Sequence, residues 1–191
     1  MPKIITGLFK GLNLNAPKDL EIRPTAAPVR EAIFSILDDI PLGAAVLDLY
    51  AGTGAMGLEA LSRGAEKVLF CDKSPQAITT IVGNLKKIPA RLLPKTEVMR
   101  ATFPKDFSRL SKQGPFSLIL LDPPYADNVF NVISFLNFAA QTNLASPQAT
   151  AVWEQSPKSL SHWAPQDLPR WELALTRRWG KKAAAILKLP A

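Results

Sequence analysis

The tetrapeptide Asp122-Pro123-Pro124-Tyr125 follows directly on the apolar run Phe116–Leu121. A buried strand ending there sets these residues at the carboxyl edge of a sheet, where doubly wound folds bind ligands. The Asp122 carboxylate and the Pro123 carbonyl are then two acceptors on one rigid turn, because consecutive prolines fix the backbone. Two such acceptors suit the two hydrogens of an exocyclic amine on a nucleobase. That nitrogen's lone pair is delocalised into the ring, and holding both hydrogens favours a pyramidal, nucleophilic nitrogen. Tyr125 offers a flat face for a base rotated out of its stack. Asp-Pro-Pro is also ordinary turn chemistry, so the motif gains its meaning from a cofactor site elsewhere in the chain.

Such a site is written between Val46 and Asp72. Val46-Leu47-Asp48-Leu49-Tyr50-Ala51-Gly52-Thr53-Gly54-Ala55-Met56-Gly57 reads as a strand, a glycine turn and a helix start. Small residues let the backbone turn tightly against a ligand, and the helix start offers N–H groups. Asp72 closes the next strand twenty residues after Gly52, the offset at which an acid accepts from both hydroxyls of a ribose. Gly52, Gly54 and Gly57 also satisfy the dinucleotide pattern G-x-G-x-x-G. Asp48 decides between ligands: it suits the ammonium of S-adenosylmethionine and would repel a pyrophosphate. A second reading makes Asp48 a carboxylate that caps nearby N–H groups. Tyr50 and Lys73 join Asp48, the three glycines and Asp72 as candidate cofactor contacts.

The elements that must position these residues alternate along the chain. Residues 4–14 read as a short hairpin broken by Gly7 and Gly11, and an apolar face from Val29 to Leu37 reads as a helix. Strands are expected at 44–49, 68–71, 97–100, 116–121 and 149–154, with helices between them; the helix after Ser74-Pro75 is capped by Ser74. Residues 103–110 read as a weak helix. The tail, with Trp163, Trp171 and Trp179 as packing anchors, reads as shorter strands completing the sheet. This pattern predicts an α/β fold: a doubly wound, mostly parallel sheet in one domain, with residues 1–28 as a hairpin extension and 29–191 as the catalytic core.

Composition removes several classes. One cysteine (Cys71) and one histidine (His162) cannot form a disulfide or a Cys/His metal cluster, so no metal is expected. No apolar stretch approaches the ~18 residues of a membrane span, and Met1-Pro2-Lys3 does not open a secretory signal, so a cytoplasmic protein is expected. The formal charge of +7 is unevenly placed. Residues 1–30 carry net +3 and residues 158–191 net +5, while 31–157 carry −1. A near-neutral body with basic ends suits an anionic polymer gripped at the periphery.

The chain resembles the bacterial 16S ribosomal RNA guanine-N2 methyltransferases of the RsmD type. The likeness rests on Arg23-Pro24-Thr25, Val29–Phe34, Leu47–Ala65, Asp72-Lys73-Ser74, Asn84-Leu85 and Phe116–Tyr125. It implies a Rossmann-like domain that moves a methyl from S-adenosylmethionine to N2 of a guanine in small-subunit ribosomal RNA, within a ribosomal particle. Lys10, Arg23, Arg30, Arg177 and Arg178 are the corresponding candidates for RNA contact. The chain departs from the family at its periphery: Ala27-Pro28 replace an acid and a base, and Lys10-Gly11-Leu12-Asn13-Leu14 replaces an arginine-rich hairpin. Arg100-Ala101-Thr102 stands where the family has Gly-Asp facing the adenine, and Arg177-Arg178-Trp179-Gly180-Lys181 ends in lysine where an acid is usual. Adenine N6 of DNA or RNA, a protein amide, a nicotinamide-dependent oxidation and a non-catalytic RNA-binding role are the rival readings. The first two sites more often begin with asparagine, and Asp48 opposes the third.

Overall fold

Largely apolar runs form several of the strands in the computed structural model, which describes residues 2–16, 27–124 and 129–191. These residues group into two compact units, Met1–Ala101 and Thr102–Ala191.

The first unit contains α1 (Ala27–Leu37), β1 (Ala45–Leu49), α2 (Ala55–Ser62), β2 (Lys67–Asp72), α3 (Pro75–Leu85) and β3 (Lys95–Arg100). β1 and β2 run parallel, as do β2 and β3, which places β2 in the middle. Helix α2 packs on β1 and β2, and α3 on β2 and β3. Apart from Ala45 and Lys67, every residue of β1 and β2 is buried, as happens when both faces of a parallel sheet are covered. The Ser74 side chain caps α3 by accepting from Ala77 N, with Pro75 in the first turn, as its sequence predicts.

The N-terminal arm, residues 2–16, turns back on itself as expected, but its pairing is short: the antiparallel bridge of Lys3 with Asn13, flanked by Ile4 N to the Leu12 carbonyl at 3.0 Å and Leu14 N to the Pro2 carbonyl at 2.8 Å. Side chains of α2 take the donors nearer the turn. Ile5 N and Thr6 N donate to the Glu59 carboxylate at 2.8 and 3.0 Å, and Phe9 N donates to Ser62 Oγ at 2.9 Å. Gly7 sits so close to α2 that a Cβ there would lie 1.8 Å from the Ser62 carbonyl oxygen.

The second unit contains α4 (Phe107–Leu110), β4 (Phe116–Leu121), α5 (Val129–Gln141), β5 (Ala145–Gln155), α6 (Pro157–Leu160), β6 (Glu172–Trp179) and β7 (Lys182–Lys188). β4 and β5 are parallel; β7 pairs antiparallel with both β5 and β6. The tail is thus an antiparallel hairpin added to a parallel pair. β5 begins four residues before its expected start, because residues between Ala145 and Thr150 bulge out of register around Pro147 and Gln148 (φ 63°). α4 is shorter than expected: the Asp106 carboxylate accepts from Thr102 N at 2.7 Å and holds a turn where the helix was to begin. That bond, with Arg109 alongside, pulls the Asp106 carboxyl below its ordinary range. Trp171 is buried and donates from Nε1 to the Leu136 carbonyl, and Trp163 lies against Trp153, so both act as packing anchors. Among the described residues, no helix is long and apolar enough to cross a membrane, and no cluster of His, Cys, Asp and Glu is arranged to hold a metal ion.

Candidate active site

In the first unit the glycine loop is held from both sides by carboxylates. Asp72 Oδ2 accepts from Gly52 N at 2.9 Å, and its Oδ1 accepts from Ser74 N at 2.8 Å. Asp72 is 9% exposed, and each oxygen keeps a second lone pair for a further donor. Tyr50, at the end of β1, takes a positive φ of 61°, an uncommon conformation for a bulky residue and one that concentrates at ligand sites. Lys73 is exposed beside Asp72, where its carbonyl accepts from Arg100 Nε.

Asp48 shows the capping role of its second reading, which leaves the first in place. Its Oδ2 accepts from Gly57 N at 2.8 Å, and the residue is 2% exposed. Gly57 is not an open contact surface: a Cβ there would lie 2.4 Å from the Phe70 ring and 2.9 Å from Asp48 Oδ2. The third glycine therefore serves the packing of α2 on the sheet. Gly54, with φ 76°, is the helix-start residue, and the loop turns through it. This arrangement discriminates between ligands. The buried Asp48 carboxylate at the start of α2 opposes the charge of a pyrophosphate. A cofactor carrying an ammonium, such as S-adenosylmethionine, fits these residues; a dinucleotide does not.

In the second unit Asp122 is the first residue off β4. It is half-buried, Pro123 is buried and Pro124 is exposed. The residue before it, Leu121, pairs with Trp153 on β5, so a fully buried strand pair anchors the motif. Tyr125 lies outside the described residues. The next β5 residue, Glu154, is 1% exposed and is paired with Lys182 of β7.

The candidate RNA contacts divide. Lys10, Arg177 and Arg178 are exposed; Arg23 lies outside the described residues. Arg30 is a correction. It is 0% exposed, donates to the Lys3 carbonyl and stands 3.8 Å from the equally buried Glu59. Burial lowers its pKa from the ordinary guanidinium value, against the opposing pull of Glu59. No RNA reaches a side chain placed there; Arg30 fastens the arm to α2.

Asn84 is the site residue that chemical reasoning on the sequence missed. Fully buried, it donates from Nδ2 to the carbonyl of Thr53, between the first two glycines, at 2.9 Å. The available signal was a polar residue three positions after Ile81 and seven after Ala77, on the buried face of an otherwise apolar helix.

Residues 2–188 match the family described as conserved hypothetical protein 95. The chain is 37% identical over 126 residues to YlbH of Bacillus subtilis (strain 168), a stretch covering 65% of this chain and 67% of that one. It is 32% identical over 124 residues to the ribosomal RNA small subunit methyltransferase D of Escherichia coli (strain K12), covering 64% of this chain and 60% of the relative. The solved structure of yhhF from Escherichia coli has a TM-score of 0.82 at 25% identity, covering 99% of this chain and 98% of that one. The chain therefore belongs to the conserved hypothetical protein 95 family, that of the RsmD-type ribosomal RNA methyltransferases, and has their Rossmann-like α/β fold.

Proposed function

We propose that this protein methylates the exocyclic N2 amine of a guanine in small-subunit ribosomal RNA, with S-adenosylmethionine as methyl donor and a ribosomal particle as substrate. The observation that carries the chemistry is Asp122: a half-buried carboxylate, the first residue off a buried strand, followed by a buried proline. The substrate class is supported by the relative named for small-subunit ribosomal RNA.

The bound cofactor supplies an electrophilic methyl group on a sulfonium. Asp72 is assigned to the ribose hydroxyls, using the lone pairs left by Gly52 N and Ser74 N. Gly52, Gly54 and the Tyr50 turn shape the backbone around it, and Lys73 borders it. Asp48 and Gly57 act through the loop they hold. Asp122 and the Pro123 carbonyl take the two amine hydrogens, which keeps the nitrogen lone pair out of ring conjugation, and Asp122 accepts the proton released on transfer. Tyr125 is assigned to base stacking. Lys10, Arg23, Arg177 and Arg178 are assigned to RNA phosphates, and the two units work as one catalytic domain.

Transfer of labelled methyl from S-adenosylmethionine to small ribosomal subunits lacking the modification tests the reading, with free DNA and protein as parallel acceptors. Label on N2 of guanine is expected. Label on adenine, or transfer to DNA but not to ribosomal RNA, would overturn the substrate. Calorimetric binding of NAD in place of S-adenosylmethionine would overturn the cofactor.

A further inference from the structure

We propose that Asn84 is a positioning residue that couples the N-terminal arm to the cofactor loop, so that a ligand seated on the loop tightens the arm. The inference rests on the cofactor assignment above. One buried carboxamide serves both segments. Its Oδ1 accepts from Asn15 N at 2.7 Å, while Nδ2 donates to the Asn15 carbonyl at 3.2 Å and to the Thr53 carbonyl at 2.9 Å. Both N–H groups of the amide are used. The group is 0% exposed, so water cannot replace a partner that moves away.

The two segments are otherwise fixed at other points. Gly52 N is pinned to Asp72, which leaves the Thr53 carbonyl as the loop's link to α3. Asn15 lies two residues beyond Asn13, whose bridge to Lys3 closes the arm, and Leu14 N donates to the Pro2 carbonyl at 2.8 Å. A loop that loosens or shifts turns the amide, and the amide carries Asn15 with it. Lys87 also grips the arm, at Asn13 O (2.8 Å) and Asn15 Oδ1 (2.7 Å), but from an exposed position, and among the described residues it makes no bond to the loop. Lys87 fastens; Asn84 transmits. Because coupling is reciprocal, whatever binds the arm also raises affinity for the cofactor by the same factor.

Amide hydrogen exchange on the full chain, with and without S-adenosylhomocysteine, tests this. In the parent, the probe is expected to slow exchange at Gly52 and Gly54 of the loop, and about fivefold or more at Ile4, Leu14 and Asn15 of the arm. Asn84→Ala should keep the loop response and erase the arm response. Lys87→Met should speed exchange in the arm with and without probe and leave the ratio unchanged. Should Asn84→Ala fail to fold, Asn15→Pro removes the N–H that Asn84 accepts, and the ratio at Ile4 and Leu14 should fall while the loop response persists. Protection of the loop without the arm in the parent overturns the coupling, as does an undiminished arm ratio in either coupling variant. A ratio lost as fully in Lys87→Met overturns it in favour of a merely loosened arm. Protection of neither segment overturns the cofactor assignment itself, and the coupling with it.

Discussion

The two units differ in where their principal site residues lie. In Met1–Ala101 Arg30, Asp48, Glu59, Asp72 and Asn84 are each at most 9% exposed, and each bonds backbone or a charged partner. In Thr102–Ala191 Asp122 is half-buried at a strand end, and Arg177 and Arg178 stand exposed on β6. The difference separates an internally bonded cradle from residues nearer the surface. Substitutions at the buried residues of the first unit should register as stability or cofactor affinity, and at Asp122, Arg177 and Arg178 as rate or RNA affinity.

The largest effect belongs to the second unit. Asp122→Ala is expected to lower methyl transfer by about 100-fold or more, the range for a lost acid–base group, with cofactor affinity unchanged. Single-turnover transfer beside calorimetry separates the two quantities. A drop in cofactor affinity as large as the drop in rate would break the division of labour.

Arg30→Met tests the other side. Removing one partner of a buried ion pair costs about 3–5 kcal/mol, and both Arg30 and Glu59 are fully buried. Glu59 retains Ile5 N, Thr6 N and Arg63, which places the expected loss at the lower end. At this chain length about 3 kcal/mol corresponds to a fall in Tm of roughly 6–12 °C. The salt dependence of RNA binding should not move; a change there would return Arg30 to the RNA contacts.

That arginine shows where sequence reading stops. β4 was legible to the residue, and β1 and β2 to within one at either end, because uninterrupted Val, Leu, Ile and Phe are a local signal of a strand covered on both faces. The Ser74 cap is local too. Arg30, by contrast, has its meaning set by Glu59, twenty-nine residues on, and nothing near either position announces the pair. The arm was legible only in part. Its spacing gave the turn-back, and its two halves do pair, but the side chains Glu59 and Ser62 that also hold it lie more than fifty residues away. Of the site, the residue types and offsets were legible: the glycines, Asp72 after the second strand, Asp122 after the fourth. Which carboxylate oxygen already had a donor was not, since that depends on a loop closing across the ends of two strands.

Asp72→Ala should produce a smaller change than either substitution above. It removes an acceptor from Gly52 N and Ser74 N as well as the proposed ribose contact. Taking about 1.5–3 kcal/mol for the charge-assisted ribose contact as a whole, S-adenosylmethionine affinity should weaken by roughly tenfold to a hundredfold. The rate at saturating cofactor should recover most of its parent value. A rate that stays low at saturation would place Asp72 in the chemistry as well as in the cradle.

The smallest effect compares the two basic ends directly. By formal charge they looked alike, +3 and +5, but Arg30 is buried in the first while Arg177 and Arg178 are exposed in the second. Each phosphate contact to a single strand contributes about 0.7 to the slope of log affinity against log salt. Arg177→Ala with Arg178→Ala should therefore flatten that slope by about 1.4, and Lys10→Ala, an exposed cation of the arm, by about 0.7. Neither variant should change Tm, because Arg177 and Lys10 project into water and Arg178, among the described residues, bonds the exposed Gly180 carbonyl beyond β6. A larger change from Lys10 than from the arginine pair would reverse the ranking. It would mean that RNA is read chiefly by the arm, the segment that Asn84 ties to the cofactor loop, so cofactor occupancy would act directly on RNA affinity.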